Sequence, residues 1–397
     1  MTPALLVAAG GLDQGVAASM TSANVARRPV AESLAGILDS PEVCGLVEQL
    51  EATRSTGRPG YPLRAMIGMA LAKSLYALPT WTRTVALVKE HAALVALIAP
   101  NGEIPSHWAC YRFAAKLREH APILERCIAD VIGALKKANP VLGWDVAIDA
   151  SDMPAYANGQ RFKSKNGPER EKYSDPDASW GHRSAVSTRK GGGFYGYRLH
   201  MAVCATTDLP LAWRVETARK HETLAVAPLL DKLHTHRIDP ETCALDKGYD
   251  NNRVYMECSE RNISPVIPLR QTPDVKRGED APPYCEHGAW RFAGADHNRC
   301  ATKWRCPTSE CATKSKWIKA DRLHPLIPRE TLRWKGLYRG RASVERTFGR
   351  LKHEWSLTPL RVRRIERVRL HASLTILSQL TCALSKERAL LVAASLE

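Results

Sequence analysis

A glutamate set among cations is the group in this chain best placed to do chemistry. The stretch Leu337–Trp355 reads Leu-Tyr-Arg-Gly-Arg-Ala-Ser-Val-Glu-Arg-Thr-Phe-Gly-Arg-Leu-Lys-His-Glu-Trp. At about 100° per residue, a continuous helix puts Val344, Phe348, Leu351 and Trp355 on one apolar stripe. Tyr338, Arg341, Glu345 and Lys352 fall beside that stripe, within roughly 60° of one another. Arg346, Arg350 and His353 lie further round, toward water or a polyanion. A carboxylate flanked by two cations and a phenol is either half of an ion pair or a metal ligand with phosphate-binding neighbours. On this segment alone, an amphipathic helix with an i,i+4 pair between Arg341 and Glu345 explains the pattern equally well.

Two upstream acids stand where strands end. At Trp144 the apolar period changes from helical to alternating: Trp144, Val146 and Ile148 take one face and Asp145, Ala147 and Asp149 the other. Asp149 closes that strand, and an acid ending a buried strand needs a partner or a use. The ordinary use is to cap the following turn. In Thr242-Cys-Ala-Leu-Asp246-Lys-Gly-Tyr-Asp250 a short apolar strand ends in Asp246, just before Gly248. Asp145 and Asp152 are weaker candidates, one at the start of its strand and one beyond the end.

The order Tyr, two residues, Arg, three residues, Glu, six residues, Lys at Tyr338, Arg341, Glu345 and Lys352 resembles the Y-R-E-K signature of bacterial insertion-sequence transposases of the DDE superfamily. Asp149-Ala-Ser151 resembles the first acidic motif of that family, and Asp246-Lys-Gly-Tyr-Asp250 the second. The resemblance spans about 41–384 and is weakest in a cysteine-bearing insertion. It implies a catalytic and metal-binding trio of Asp149, Asp246 and Glu345 holding two Mg²⁺ (or Mn²⁺) ions. Asp149 would bridge them, with Asp246 on one and Glu345 on the other. It also implies DNA contacts from Tyr338, Arg341 and Lys352. Hydrolysis would free a transposon end, whose 3′-hydroxyl then attacks target DNA at the same site. A catalytically inactive DNA-binding relative, and a ribonuclease H-like nuclease without strand joining, are the rival readings.

The rest of the chain must position these groups. Residues 1–39 read as a loose tail, in which Met20 is an alternative start. From 40 to 140 the pattern is helical, with Pro62 starting a long apolar helix and further helices over 80–97 and 105–118. This region is expected to contact DNA, with a scaffold bundle as the alternative. The polar run 154–193 reads as a loop. Strands over 194–206 and 211–217, a helix from 222 to 236, the Asp246 strand, a helix over 251–262 and a strand at 265–269 follow. The expected fold class is therefore α/β: a ribonuclease H-like mixed sheet flanked by helices, with a helical N-terminal domain and an insertion before the last catalytic helix. The core would occupy 141–270 and 337–397. The separation of ninety-nine positions from Asp246 to Glu345 exceeds what such a core needs, which makes 271–336 the insertion.

A formal charge of +16 and a pI near 9.4 point to a polyanionic partner. Arg329–Arg369 holds thirteen Lys or Arg against four acids, so the excess gathers around Glu345. The expected partners are double-stranded DNA, as terminal repeats and target, and a second copy of the chain, since joining two ends takes at least a dimer. No apolar run has membrane-spanning length, and a cytoplasmic, nucleoid-associated location is expected. Eleven scattered cysteines fit a reducing compartment. In the insertion, Cys285, Cys300, Cys306 and Cys311 form a candidate zinc set near His287. Their spacing matches no strong template, and free thiols in a β-rich insertion are the alternative. Trp290, Trp304, Trp317 and Trp334 are expected to pack that region together rather than to stack on a base.

Overall fold

The computed structural model describes residues 30–54, 60–159, 173–183, 190–271, 281–308 and 310–394. The expected tail before residue 30, with its alternative start at Met20, and parts of the polar loop and of the insertion lie outside the described residues.

The chain begins as helices: α1 (Val30–Leu38), α2 (Pro41–Glu51), α3 (Leu63–Leu75), α4 (Trp81–Glu90), α5 (Ala92–Ile98), α6 (His107–Glu119) and α7 (Ala121–Ala138). Residues 30–38, read above as tail, are thus structured. Leu34, Ile37 and Leu38, spaced i, i+3, i+4, are buried together. Local signals set the helix starts. Thr80 and Ser106 accept backbone N–H bonds from Arg83 and Ala109, as N-caps do. Apart from Arg64, α3 is buried from Leu63 to Leu75, because neighbouring helices cover most of its surface.

A six-stranded mixed sheet follows. β1 (Asp145–Pro154), β2 (Ser179–Arg183), β3 (Gly192–Cys204), β4 (Pro210–Thr217), β5 (Thr242–Leu245) and β6 (Ser264–Val266) run in the order β2-β3-β1-β5-β6, with β4 also on β3. β3 runs antiparallel to both of its neighbours β1 and β4, whereas β5 and β6 continue the sheet from β1 in parallel. Three antiparallel strands continued by parallel ones, with helices on the faces, is the ribonuclease H-like arrangement that the element order implied. β2 was read as loop: its polar text, Ser-Trp-Gly-His-Arg, has no buried face to produce alternation.

α8 (Val226–Thr235) and α9 (Asn252–Ser259) supply the crossovers, and α10 (Leu332–Arg339), α11 (Ala342–His353) and α12 (Ile365–Ala394) close the fold. α11 lies on β1 and β3; α12 packs on β4 and on α1, α3, α6 and α7. One apolar cluster therefore runs from the helical region into the sheet without a gap. Trp213 on β4 donates from Nε1 to Ser373 Oγ on α12 at 3.1 Å inside it. Among the described residues no helix is long and apolar enough to cross a membrane.

Residues 281–319 form small sheets of their own: β7 (Tyr284–Cys285) with β8 (Gly288–Ala289), and β9 (Arg291–Asp296), β10 (Ala301–Arg305) and β11 (Ser315–Lys319) in the order β11-β10-β9. The segment returns to the core through Arg322, which donates to both oxygens of buried Asp250 at 3.1 and 2.7 Å.

Candidate active site

The register of β1 and β5 sets the site. They pair in parallel from Asp145↔Thr242 to Ile148↔Leu245, and β5 then stops. The next residues, Asp149 and Asp246, stand side by side where β1 continues against β3 alone. β5 ends because Asp246 turns the chain into a single 3-10 turn, Lys247–Tyr249, its Oδ1 accepting the Gly248 N–H at 2.6 Å. A Cβ on Gly248 would lie 2.9 Å from that oxygen, so the residue type at 248 protects the orientation of Asp246.

Glu345 arrives on α11. The stretch expected to be one helix is two, broken at Gly340–Arg341. Gly340 turns back to Leu337 O at 2.9 Å, and Arg341 becomes the N-cap of α11. The break points Arg341 inward. Its guanidinium donates to Asp149 Oδ2 at 3.2 Å and also to Glu345 Oε1. The Asp208 turn between β3 and β4 holds α11 in place. Arg346 pairs with both Asp208 oxygens at 2.8 and 2.7 Å, Arg350 pairs with it at 2.9 Å, and Thr347 Oγ1 donates to Asp208 O at 2.8 Å. Arg346 and Arg350, read above as facing water or a polyanion, are thus engaged by the protein.

The other expected DNA contacts are distributed along these helices. Tyr338, in the last turn of α10, stacks on Trp334 with ring centroids 5.0 Å apart and packs partly buried against the core. Lys352 is half-buried about two turns beyond Glu345.

Two further charged groups join the cluster. Arg198 on β3 pairs with Asp152 at 3.3 Å and with Glu222 at 2.8 Å. Glu222 opens the short 3-10 turn before α8; its carboxyl is raised above its ordinary pKa by burial, against the pull of Arg198, with Asp246 and Asp152 adding to the rise. No periodicity marks Glu222 in the sequence. Asp145 sits at the far end of β1, where it accepts from Thr242 Oγ1.

The site carries more negative charge than its neighbours balance. Burial pushes the Asp149 carboxyl up to about 7; the Ala150 N–H bond and Arg341 act against this, and Asp246 and Glu222 add to it. Beneath the acids, the Tyr249 hydroxyl is buried without a hydrogen-bond partner. Hard divalent cations select carboxylate oxygens, and the Asp149 carboxyl, whose protonated form burial favours, would be ionised by one. The donor set therefore fits such ions, with Asp149 and Asp246 offering adjacent carboxylates and Glu345 tied to them through Arg341.

A groove of about 620 Å³, lined among others by Trp180, His182, Arg198, Lys220, Glu222 and Gly248, opens beside Asp246. A separate cavity of about 450 Å³ between the helical region and the start of α12 is lined by Lys73, Arg118, Tyr156, Arg361, Arg363 and Arg367. It contains none of the three acids.

Residues 142–380 match a family model described as the transposase DDE domain. Among solved structures, the chain is similar to piggyBac transposase in a cryo-EM synaptic complex with hairpin DNA, at 10% identity and a TM-score of 0.41, covering 89% of this chain and 73% of that one. No curated protein matches. The family match extends over more than half of the sequence and includes both aspartates and Glu345, and the chain belongs to the DDE-domain transposases.

Proposed function

We propose that this transposase serves an insertion sequence, cutting at the ends of the element and joining the freed 3′-hydroxyl to target DNA in one active site. The carrying observation is the meeting of three acids from distant parts of the chain: Asp149 and Asp246 at the ends of paired parallel strand segments, and Glu345 joined to Asp149 through Arg341. When bound, two divalent ions such as Mg²⁺ or Mn²⁺ would activate the attacking oxygen and neutralise the leaving one. Asp149 would serve both ions, with Asp246 holding one and Glu345 the other.

Arg341 keeps Asp149 and Glu345 from repelling each other in the free protein, and offers two parallel N–H donors to a phosphate in the complex. Lys352 adds a positive charge further along α11. Tyr338, stacked on Trp334, would contact the DNA beside the acids. The cavity between the helical region and α12, to which residues 40–140 contribute Lys73 and Arg118 and the α12 side Arg361, Arg363 and Arg367, would accept a phosphate, which supports contact of that region with DNA. Bringing two ends together requires a second copy of the chain.

The test is a strand-transfer assay with DNA carrying the element's own ends, supercoiled target and Mg²⁺. Joined products establish the proposal; nicks without joining under every divalent metal reduce the activity to that of a nuclease.

A further inference from the structure

The insertion holds a cluster that DNA cleavage does not use. Its two small sheets bury little, Trp290, Ala301, Thr302 and Trp304 being the main buried residues between 281 and 319. A segment of this size with so small an apolar interior needs a further staple.

Two hairpins present such a staple to one point. Cys285 ends β7, and His287 occupies the tight turn before β8. Cys306 directly follows β10, and Cys311 lies on the loop before β11. One ligand atom from each of Cys285, His287, Cys306 and Cys311 lies within 4.8 Å of all the others, the one group of its kind among the described residues. Cys285 Sγ and Cys306 Sγ are 3.6 Å apart. That is far longer than a disulfide bond of about 2.05 Å and close to the roughly 3.7 Å between sulfurs in a tetrahedral zinc site with Zn–S near 2.3 Å. His287 Nδ1 is buried without a hydrogen-bond partner, the Glu286 carboxylate standing 3.8 Å away. Cys285 also points toward Gly288 O and Cys306 toward Thr308 Oγ1, contacts that orient the sulfurs. Cys300, grouped with the other cysteines on sequence alone, is elsewhere, against Ser259 Oγ at 3.7 Å.

We propose that Cys285, His287, Cys306 and Cys311 bind one structural Zn²⁺ that ties the β7–β8 hairpin to the β9–β11 sheet. Three thiolates and an imidazole are soft and borderline donors, which select zinc over the hard ions suited to the carboxylate site. Four protein ligands close the coordination sphere, so the ion supports the insertion and takes no part in strand cleavage. Cys285-x-His287 and Cys306-x₄-Cys311 each close on a turn, which brings paired ligands together without a C-x-x-C motif.

The full-length chain, purified from zinc-supplemented cells and dialysed, is assayed for metal by mass spectrometry. About one zinc per chain is expected. Replacement by Co²⁺ should give thiolate-to-cobalt charge-transfer bands and the d–d bands of a tetrahedral site. Cys306→Ser and His287→Ala should lose the metal, whereas Cys300→Ser keeps it. The cobalt spectrum of the wild-type chain decides the matter even if a variant fails to fold. Metal-free wild-type protein, a Cys285–Cys306 disulfide, octahedral cobalt bands, or loss of metal from Cys300→Ser would each overturn the assignment.

Discussion

Arg341 reaches across 192 residues of chain to donate to Asp149 Oδ2 at 3.2 Å. With Glu345 on its other side, this guanidinium fills the place where negative charge concentrates, and a metal ion must compete with it for the carboxylates. Arg341→Gln should therefore lower the Mn²⁺ concentration needed for half-maximal cleavage. The rate at saturating metal should fall about tenfold or more, the loss of roughly 1.4 kcal/mol of phosphate stabilisation. A metal titration of cleavage checks both, and an unchanged or raised metal requirement would contradict the stand-in role.

Gly248 sits 2.9 Å, at its would-be Cβ, from Asp246 Oδ1. An added methyl displaces the end of a side chain rather than the backbone, so Gly248→Ala should cost less than about 1 kcal/mol in stability. It should nonetheless raise the Mg²⁺ requirement several-fold by turning Asp246 away. Urea denaturation and metal-dependent cleavage, measured on the same preparation, separate the two effects.

Asp250 is fully buried and gripped by Arg322, with Arg270 N–H donating to it at 2.7 Å. Removing one partner of such a pair leaves a charge in a low-dielectric interior. Arg322→Met should destabilise the fold by about 3 kcal/mol, read from the shift in its urea midpoint. A loss below about 1 kcal/mol would mean that the insertion does not lean on this contact.

His200 is buried on β3 with neither ring nitrogen bonded, and its pKa is lowered to about 4, by burial first and then by Arg198. The folded value lies below the unfolded one, so this term is neutral above about pH 6.5. Stability is then lost as pH falls from 6.5 toward 4, at about 1.4 kcal/mol per unit. Between pH 7.5 and 5, His200→Leu should lose about 2 kcal/mol less than the wild-type chain. Equal losses would place the pH sensitivity elsewhere.

Much of the site was legible because its text is local. Alternation isolates Asp149, and Asp246 ends an apolar run just before a glycine. The fixed spacing from Tyr338 to Lys352 picks out Glu345. What stayed hidden depends on tertiary partners. The Gly340–Arg341 break conserves the apolar stripe, so periodicity did not show it. Glu222 and Arg198 matter only because β3 and the turn before α8 meet beside Asp246. The exchange of His287 for Cys300 follows from which hairpin turns face each other, and ligand counting along the chain cannot report that. α1 was missed because a single helical turn of three apolar residues carries little weight until α3 and α12 are there to cover it.

The most direct measurement of the central claim is metal-dependent strand cleavage and joining by Asp149→Asn, Asp246→Asn and Glu345→Gln, each shown by circular dichroism to be folded. Each substitution should lower both activities by about a thousandfold or more, roughly 4 kcal/mol of barrier. Cleavage and joining at the wild-type rate by any one of the three would contradict the account.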